Sequence, residues 1–211
     1  SRIRTVNGAG GTGALMILMY VLGRARPKGN IYISDPSWPN HWPLAENANL
    51  TPKTYPYFDP KTRSVDFDAM MKVIDALTKD DIVLLNGCCH NPTGANLTPA
   101  QWDRVAESLK RTGAFPLIDL AYLGFGDGLE QDAYGVRKIA ASVPEAMIAF
   151  SASKNFGLYR ERTGVAIAIA KDAATADVVS SQMQNIIRGT ISQTPDHGAE
   201  IVRTILEDKA L

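Results

Sequence analysis

Cysteine is nearly absent from this 211-residue chain: there are two, Cys88 and Cys89, and they are adjacent. Neighbouring side chains on a strand point to opposite faces, so the pair is expected to build neither a framework disulfide nor a four-ligand metal site. A reducing compartment, the cytoplasm, is the expected location. An excess of charge of one sign is also missing, since Lys plus Arg and Asp plus Glu each number 22. Nothing therefore draws the chain to nucleic acid or to an anionic membrane surface. No apolar run approaches the ~20 residues that cross a bilayer, and no basic stretch leads into an apolar signal region. What remains is a soluble chain, 45% hydrophobic, with enough apolar content for one full core and with small molecules or protein as partners.

Short apolar or β-branched runs recur along it: "IRTV", "NIYIS", "DIVLLN", "FPLIDL", "MIAFS" and "VAIAIA". Several are apolar on both faces, the mark of a buried, mainly parallel sheet. Between them "GALMILMYVLGRA", "DFDAMMKVIDALT" and "TPAQWDRVAESLKRTG" carry helical spacing, the last with Thr98 as N-cap, Pro99 in the first turn and Gly113 past the end. Alternation of strand and helix predicts an α/β fold. The Pro-, Asn-, Tyr- and Trp-rich stretch from Ser37 to Pro60 has no steady period and is expected to be a functional or partner-contacting excursion. The chain opens inside a strand-like run and closes on "ILEDKAL", as a piece of a longer protein would.

Four stretches carry chemistry. In "NGAGGTGAL", Gly8, Gly10 and Gly13 fit GxGxxG ahead of a helix, and Asp35 ends the next strand-like run, as in a dinucleotide site. The loop equally suits a single phosphate, because glycines admit close backbone approach and a helix N-terminus offers free N–H groups; a tight turn binding nothing has the same pattern. "CCHNPTG" puts Asn91 past a strand's carboxyl end, with His90 in a supporting role, although Asn-Pro and Thr-Gly also simply make turns. "PLIDLAYLGF" sets Asp119 at the end of an apolar strand with Tyr122 beyond, and a buried carboxylate implies a cationic partner. "SASKNFGLYRERTG" offers Lys154 beside Ser151 and Ser153, with Arg162 following. A lysine in a pocket can lose its proton and attack a carbonyl, whereas most lysines are solvated surface charges. One ligand satisfies all of them: pyridoxal 5′-phosphate. It brings a phosphate for the glycine loop, Ser151, Ser153 and Arg162, an aldehyde for Lys154, a ring nitrogen for Asp119 and an aromatic face for Trp38.

"GGTGAL", "DPSWPNHW", "CCHNPTG", "IDLAYLGF" and "SKNFGLYRERTG", in this order and at these separations, resemble the class I, fold-type I aminotransferases, in particular the aspartate and aromatic amino acid aminotransferase group. The resemblance covers nearly the whole chain. It implies a three-layer α/β/α domain with a mainly parallel sheet, residues 1–211 forming the pyridoxal-phosphate-binding large domain of a homodimer. The implied reaction transfers an amino group from aspartate or an aromatic amino acid to 2-oxoglutarate through a Schiff base on Lys154. In that implied site Lys154 is also the proton shuttle, Asp119 pairs with the pyridinium nitrogen, and Tyr122 and Asn91 bond the 3′ oxygen. Asn91 also reaches the substrate's α-carboxylate. Trp38 stacks on the ring, His41 stands behind the aspartate, and Gly10, Gly11, Thr12, Ser151, Ser153 and Arg162 hold the phosphate. Arg188 crosses the dimer to the side-chain carboxylate of dicarboxylic substrates. The family's other substrate arginine belongs to a C-terminal small domain and a phosphate-touching tyrosine to an upstream segment, neither of them in these residues. "TISQTP" stands where the family commonly has "YSNPP", which alters contacts near Ser192 and Gln193. Rival readings are a lyase or racemase with the same cofactor, an NAD(P)-dependent dehydrogenase using the glycine loop, and a folded piece without activity.

Overall fold

The computed structural model describes residues 1–27 and 29–208. In chain order its elements are β1 (Ile3–Ala9), α1 (Gly10–Ala25), β2 (Asn30–Asp35), α2 (His41–Asn47), β3 (Thr51–Pro56), the antiparallel pair β4 (Phe58–Asp59) and β5 (Ser64–Val65), α3 (Phe67–Ile74), β6 (Ile82–Asn86), α4 (Pro99–Thr112), β7 (Phe115–Leu120), α5 (Leu129–Asp132), α6 (Tyr134–Ser142), β8 (Ala146–Ser151), β9 (Thr163–Ile169), α7 (Ala173–Thr190) and α8 (His197–Glu207). Seven strands form one sheet in the order β1-β9-β8-β7-β6-β2-β3. Only β9 runs against the rest, antiparallel to both β1 and β8.

Alternation along the strands sets the three layers. Ile82 and Leu84 of β6 pack with Leu117 of β7 against α1, α2 and α7, while Val83, Leu85 and Ile118 face α3, α4 and α6. Burial on both faces is why these strands read as continuous apolar runs. The ends of α4 behave as their residues dictate: Thr98 and Gln101 form a capping box, Pro99 opens the helix, and Gly113 closes it in the left-handed region at φ 73°.

The stretch from Ser37 to Pro60, expected to be a functional or partner-contacting excursion, is built of regular pieces, α2, β3 and β4. The hydrophobic period is invisible there because α2 is short and carries Pro43. Strand β3, at the sheet edge, buries only Tyr55 and contains Pro52 and Pro56, residues that edges tolerate.

The turn from β1 into α1 depends on Gly164 of β9, which lies opposite Gly8. A Cβ on Gly164 would stand 2.5 Å from both the carbonyl carbon and oxygen of Gly10 and 2.9 Å from the Phe150 carbonyl oxygen, all of them backbone. Gly164→Ala is therefore expected to cost roughly 1–3 kcal/mol in urea unfolding through overpacking and to displace the start of α1. An unchanged midpoint would show that the turn has room to move.

Candidate active site

Because the strands other than β9 share one direction, the carboxyl ends of β1, β2, β6, β7 and β8 meet the beginning of β9 at one edge of the sheet, where open α/β folds bind ligands. The loops leaving that edge surround a cleft of about 860 Å³ including its open mouth, within the usual range for small-molecule sites. Gly11 and Thr12 reach it from α1, Trp38 and His41 from the chain after β2, and Asn91 from the chain after β6. Asp119 and Tyr122 come from the end of β7, Ser151, Ser153 and Lys154 from the end of β8, and Arg162 from the residue before β9.

Asp119, next to last in β7, has its side chain 12% exposed. Its Oδ2 lies 3.0 Å from Nε2 of His41, which is fully buried, and Nδ1 of His41 lies 2.9 Å from the Ser37 hydroxyl. The carboxylate only accepts, so Nε2–H donates to it; in the neutral ring Nδ1 then accepts from Ser37. The Trp38 ring meets the imidazole edge-on, with centroids 5.3 Å apart at 87°. No hydrogen bond among the described residues engages Asp119 Oδ1, which leaves that oxygen to the cleft.

The opposite end is built for an anion. Among the described residues helix α1 has no side-chain cap and no acidic residue in its first turn, so beyond the Gly10 N–H its leading N–H groups, those of Gly11 and Thr12, and its positive dipole end are left to the cleft. A Cβ on Gly11 would stand 2.9 Å from Cβ of Ser151, so only glycine lets the loop approach that hydroxyl. Arg162 sits at φ 51°, a conformation uncommon for a residue with a side chain. Its Nη1 donates to the Tyr159 carbonyl at 2.9 Å, and its own carbonyl accepts from Gly10 N–H at 2.7 Å.

Lys154 Nζ stands 4.7 Å from the centroid of the Tyr122 ring, and no carboxylate pairs with it among the described residues. Burial, and next the charge of Asp119, raise the Tyr122 pKa above the ordinary phenol value, so this hydroxyl stays a donor.

Two of the expected residues, Gly10 and Arg188, lie outside the wall of this cleft, which for Arg188 accords with its expected place at a partner's site. Gly10 does not line the cleft, because its N–H is spent on Arg162 and its positive φ of 69° serves the turn. Arg188 is exposed on α7 and donates to the Ser192 hydroxyl at 2.7 Å, outside the cleft. Asp35 cannot serve a ribose beside the glycine loop: β9, β8, β7 and β6 separate β1 from β2, roughly 24 Å at ~4.8 Å per strand. The cysteines follow β6 rather than lying on it. Their sulfurs do not diverge: with a carboxylate oxygen of Asp132 they lie within 4.8 Å of one another. Asn86, missed in the sequence, also lines the cleft and pairs in register with Asp119. Its signal was the polar residue closing "DIVLLN".

His90 is buried, with Nε2 3.0 Å from the Ser34 hydroxyl and Nδ1 2.8 Å from that of Thr93, its ring stacked 3.9 Å from Tyr57. Burial, aided by the nearby His41, lowers its pKa to about 4. The unfolded chain then binds more protons than the folded one between about pH 6.5 and 4. Stability should fall through that window as the pH drops, by roughly 3 kcal/mol from this group. Urea midpoints measured across that range should show this loss in the native chain and not in His90→Gln; parallel curves would contradict the assignment.

The family model for class I and II aminotransferases matches residues 1–211. The aromatic-amino-acid aminotransferase of Paracoccus denitrificans is 52% identical over 202 residues, 96% of this chain and 51% of that protein. The aspartate aminotransferase of Salmonella typhi is 46% identical over 210 residues, 100% of this chain to the nearest per cent and 53% of that protein. The chain thus spans about half the length of the curated relatives it matches. A solved aromatic amino acid aminotransferase with 3-indolebutyric acid superposes at a TM-score of 0.97 with 51% identity, over 99% of this chain and 53% of that one. A Burkholderia pseudomallei aromatic-amino-acid aminotransferase covalently bound to pyridoxal phosphate does so at 0.95 with 42% identity, over 98% and 52%. A family match along the full length, joined to this agreement of folds, makes the chain a member of the class I and II aminotransferases.

Proposed function

We propose that residues 1–211 are the cofactor-binding large domain of a pyridoxal-phosphate-dependent aminotransferase. On this reading it takes an amino group from aspartate or an aromatic amino acid and passes it to 2-oxoglutarate, as a cytoplasmic homodimer. The observation that carries it is the pairing, in one cleft, of an unpaired lysine and a histidine-backed carboxylate with an uncapped helix N-terminus between flanking hydroxyls and an arginine. The donor set fits the group. Thr12, Ser151, Ser153, Arg162 and the amide of Gly11 suit a phosphate, Asp119 Oδ1 suits a protonated ring nitrogen, and Trp38 offers a flat aromatic surface.

When bound, the cofactor supplies an aldehyde that takes up an amine and a cationic ring that accepts the electron pair released at the substrate's Cα. Lys154 would hold the cofactor through Nζ at its aldehyde carbon, and its amine, when free, would serve as the base and acid that moves a proton at the substrate's Cα. Asp119 would keep the ring nitrogen protonated, and His41 with Ser37 fixes the carboxylate's orientation. Tyr122 O–H and the Asn91 amide, both in the cleft wall, would donate to the cofactor's 3′ oxygen, and Asn91 would also hold the substrate's α-carboxylate. Arg188 serves a partner's site, where it meets a side-chain carboxylate. Nicotinamide chemistry is disfavoured by the strand order, since the loop and Asp35 lie at separate places on the sheet.

The test is the absorption spectrum of the protein with pyridoxal phosphate, before and after borohydride, with mapping of the reduced adduct. The adduct should fall on Lys154 and vanish in Lys154→Ala. Asp119→Asn should retain the adduct yet lower glutamate formation from 2-oxoglutarate by roughly 10²–10³-fold, the scale of losing one electrostatic stabiliser. An adduct on another lysine would overturn the reading, as would saturable nicotinamide binding. Turnover of amino acid without glutamate would favour a lyase or racemase, and cofactor capture without turnover would mark an inactive piece.

A further inference from the structure

Cys88 and Cys89 have no part in the chemistry above, yet both line the cleft, and Cys88 also borders a second cavity beside Asn96, Trp102 and Tyr134. The backbone that carries them is fixed. Cys89 sits at φ 47°, and its N–H donates to Oδ1 of Asn96 at 2.6 Å. The two sulfurs lie within 4.8 Å of each other and of an Asp132 carboxylate oxygen.

We propose that Cys88 and Cys89 form a two-sulfur capture site for a thiophilic centre that bridges both sulfurs through a single atom, the ligand class being a trivalent arsenical. A direct disulfide is disfavoured by geometry. Adjacent α-carbons stand about 3.8 Å apart across a trans peptide, short of the roughly 4.4–6.8 Å that disulfides span. A one-atom bridge relaxes that constraint, since the two sulfurs, within 4.8 Å of one another, need not close to the ~2.05 Å of an S–S bond.

A divalent cation is the weaker occupant, because the third ligand is already engaged. Asp132 accepts N–H bonds from Gly124 at 2.8 Å and from Gly126 and Asp127 at 2.9 Å each, so most of its lone pairs are spent. Burial, and the neighbouring carboxylate, also raise both thiols above their ordinary pKa, so forming two thiolates is costly. The arsenical needs no charged state at either end. Two S–H bonds and the two As–OH bonds of an arylarsonous acid break, two As–S bonds form, and two waters leave. Arsenic stays trivalent, and neither sulfur is oxidised.

The probe is phenylarsine oxide added to the folded chain, which has no other cysteine to compete. Intact mass should show one arsenic per chain with loss of both titratable thiols, in an adduct that resists a monothiol and is stripped by a dithiol. Cys88→Ser and Cys89→Ser, each checked for native circular dichroism, should bind on the order of 10²–10⁴-fold more weakly, since bivalent capture is lost. Excess zinc should leave the wild-type adduct unchanged. Equal affinity of wild type and single variants would overturn the proposal, as would two arsenicals per chain or protection of the thiols by zinc.

Discussion

A carboxylate at the end of a buried strand is the constraint around which this edge of the sheet is arranged. Asp119 follows Phe115 and Leu117 on the face of β7 that packs against α1 and α2, and a charge so placed requires partners. His41 supplies one, and it is itself buried and held by Ser37. The chain between β2 and α2 is thereby fixed to the carboxylate, and Trp38 is carried with it into the wall of the cleft. One oxygen is tied down by protein while the other faces outward, which is what the proposed pairing with a ring nitrogen needs.

The direction of β9 does comparable work at the other end. If β9 ran with the other strands, Arg162 would sit at the far edge of the sheet. Running against them, it brings that arginine beside the start of α1, and the Gly10 N–H bond to its carbonyl couples the two. The glycines serve this approach more than any fingerprint. Gly164 and Gly11 are small because backbone and a serine side chain come within contact of where a Cβ would be.

Legibility in the sequence followed burial. Strands buried on both faces, such as "DIVLLN" and "FPLIDL", were plain as apolar runs, and the ends of α4 were plain from Thr98, Pro99 and Gly113. Edge strand β3 was not, because a half-exposed strand with two prolines has neither an apolar run nor a clean alternation. Among the site residues, Lys154 and Asp119 stood out as charges at strand ends, and Arg162 as the cation that follows the lysine in "SASKNFGLYRERTG". Asn86 did not, since a neutral amide at a strand end is unremarkable until its register with Asp119 is known. The cysteines misled because their directions were read as those of a strand, whereas β6 ends at Asn86 and the chain bends after it. Strand order decided what the glycine motif alone left open: β1 and β2 are not neighbours, so the loop and Asp35 cannot share a dinucleotide.

The proposed role of Asp119 is to hold a proton on the ring nitrogen of the cofactor. The nitrogen NMR shift of pyridoxal phosphate labelled with ¹⁵N in the ring, bound to the native chain and to Asp119→Asn, measures this directly. A protonated nitrogen near neutral pH in the native chain and an unprotonated one in the variant is the predicted result. An unprotonated nitrogen in the native chain, or one whose state ignores the substitution, would contradict it.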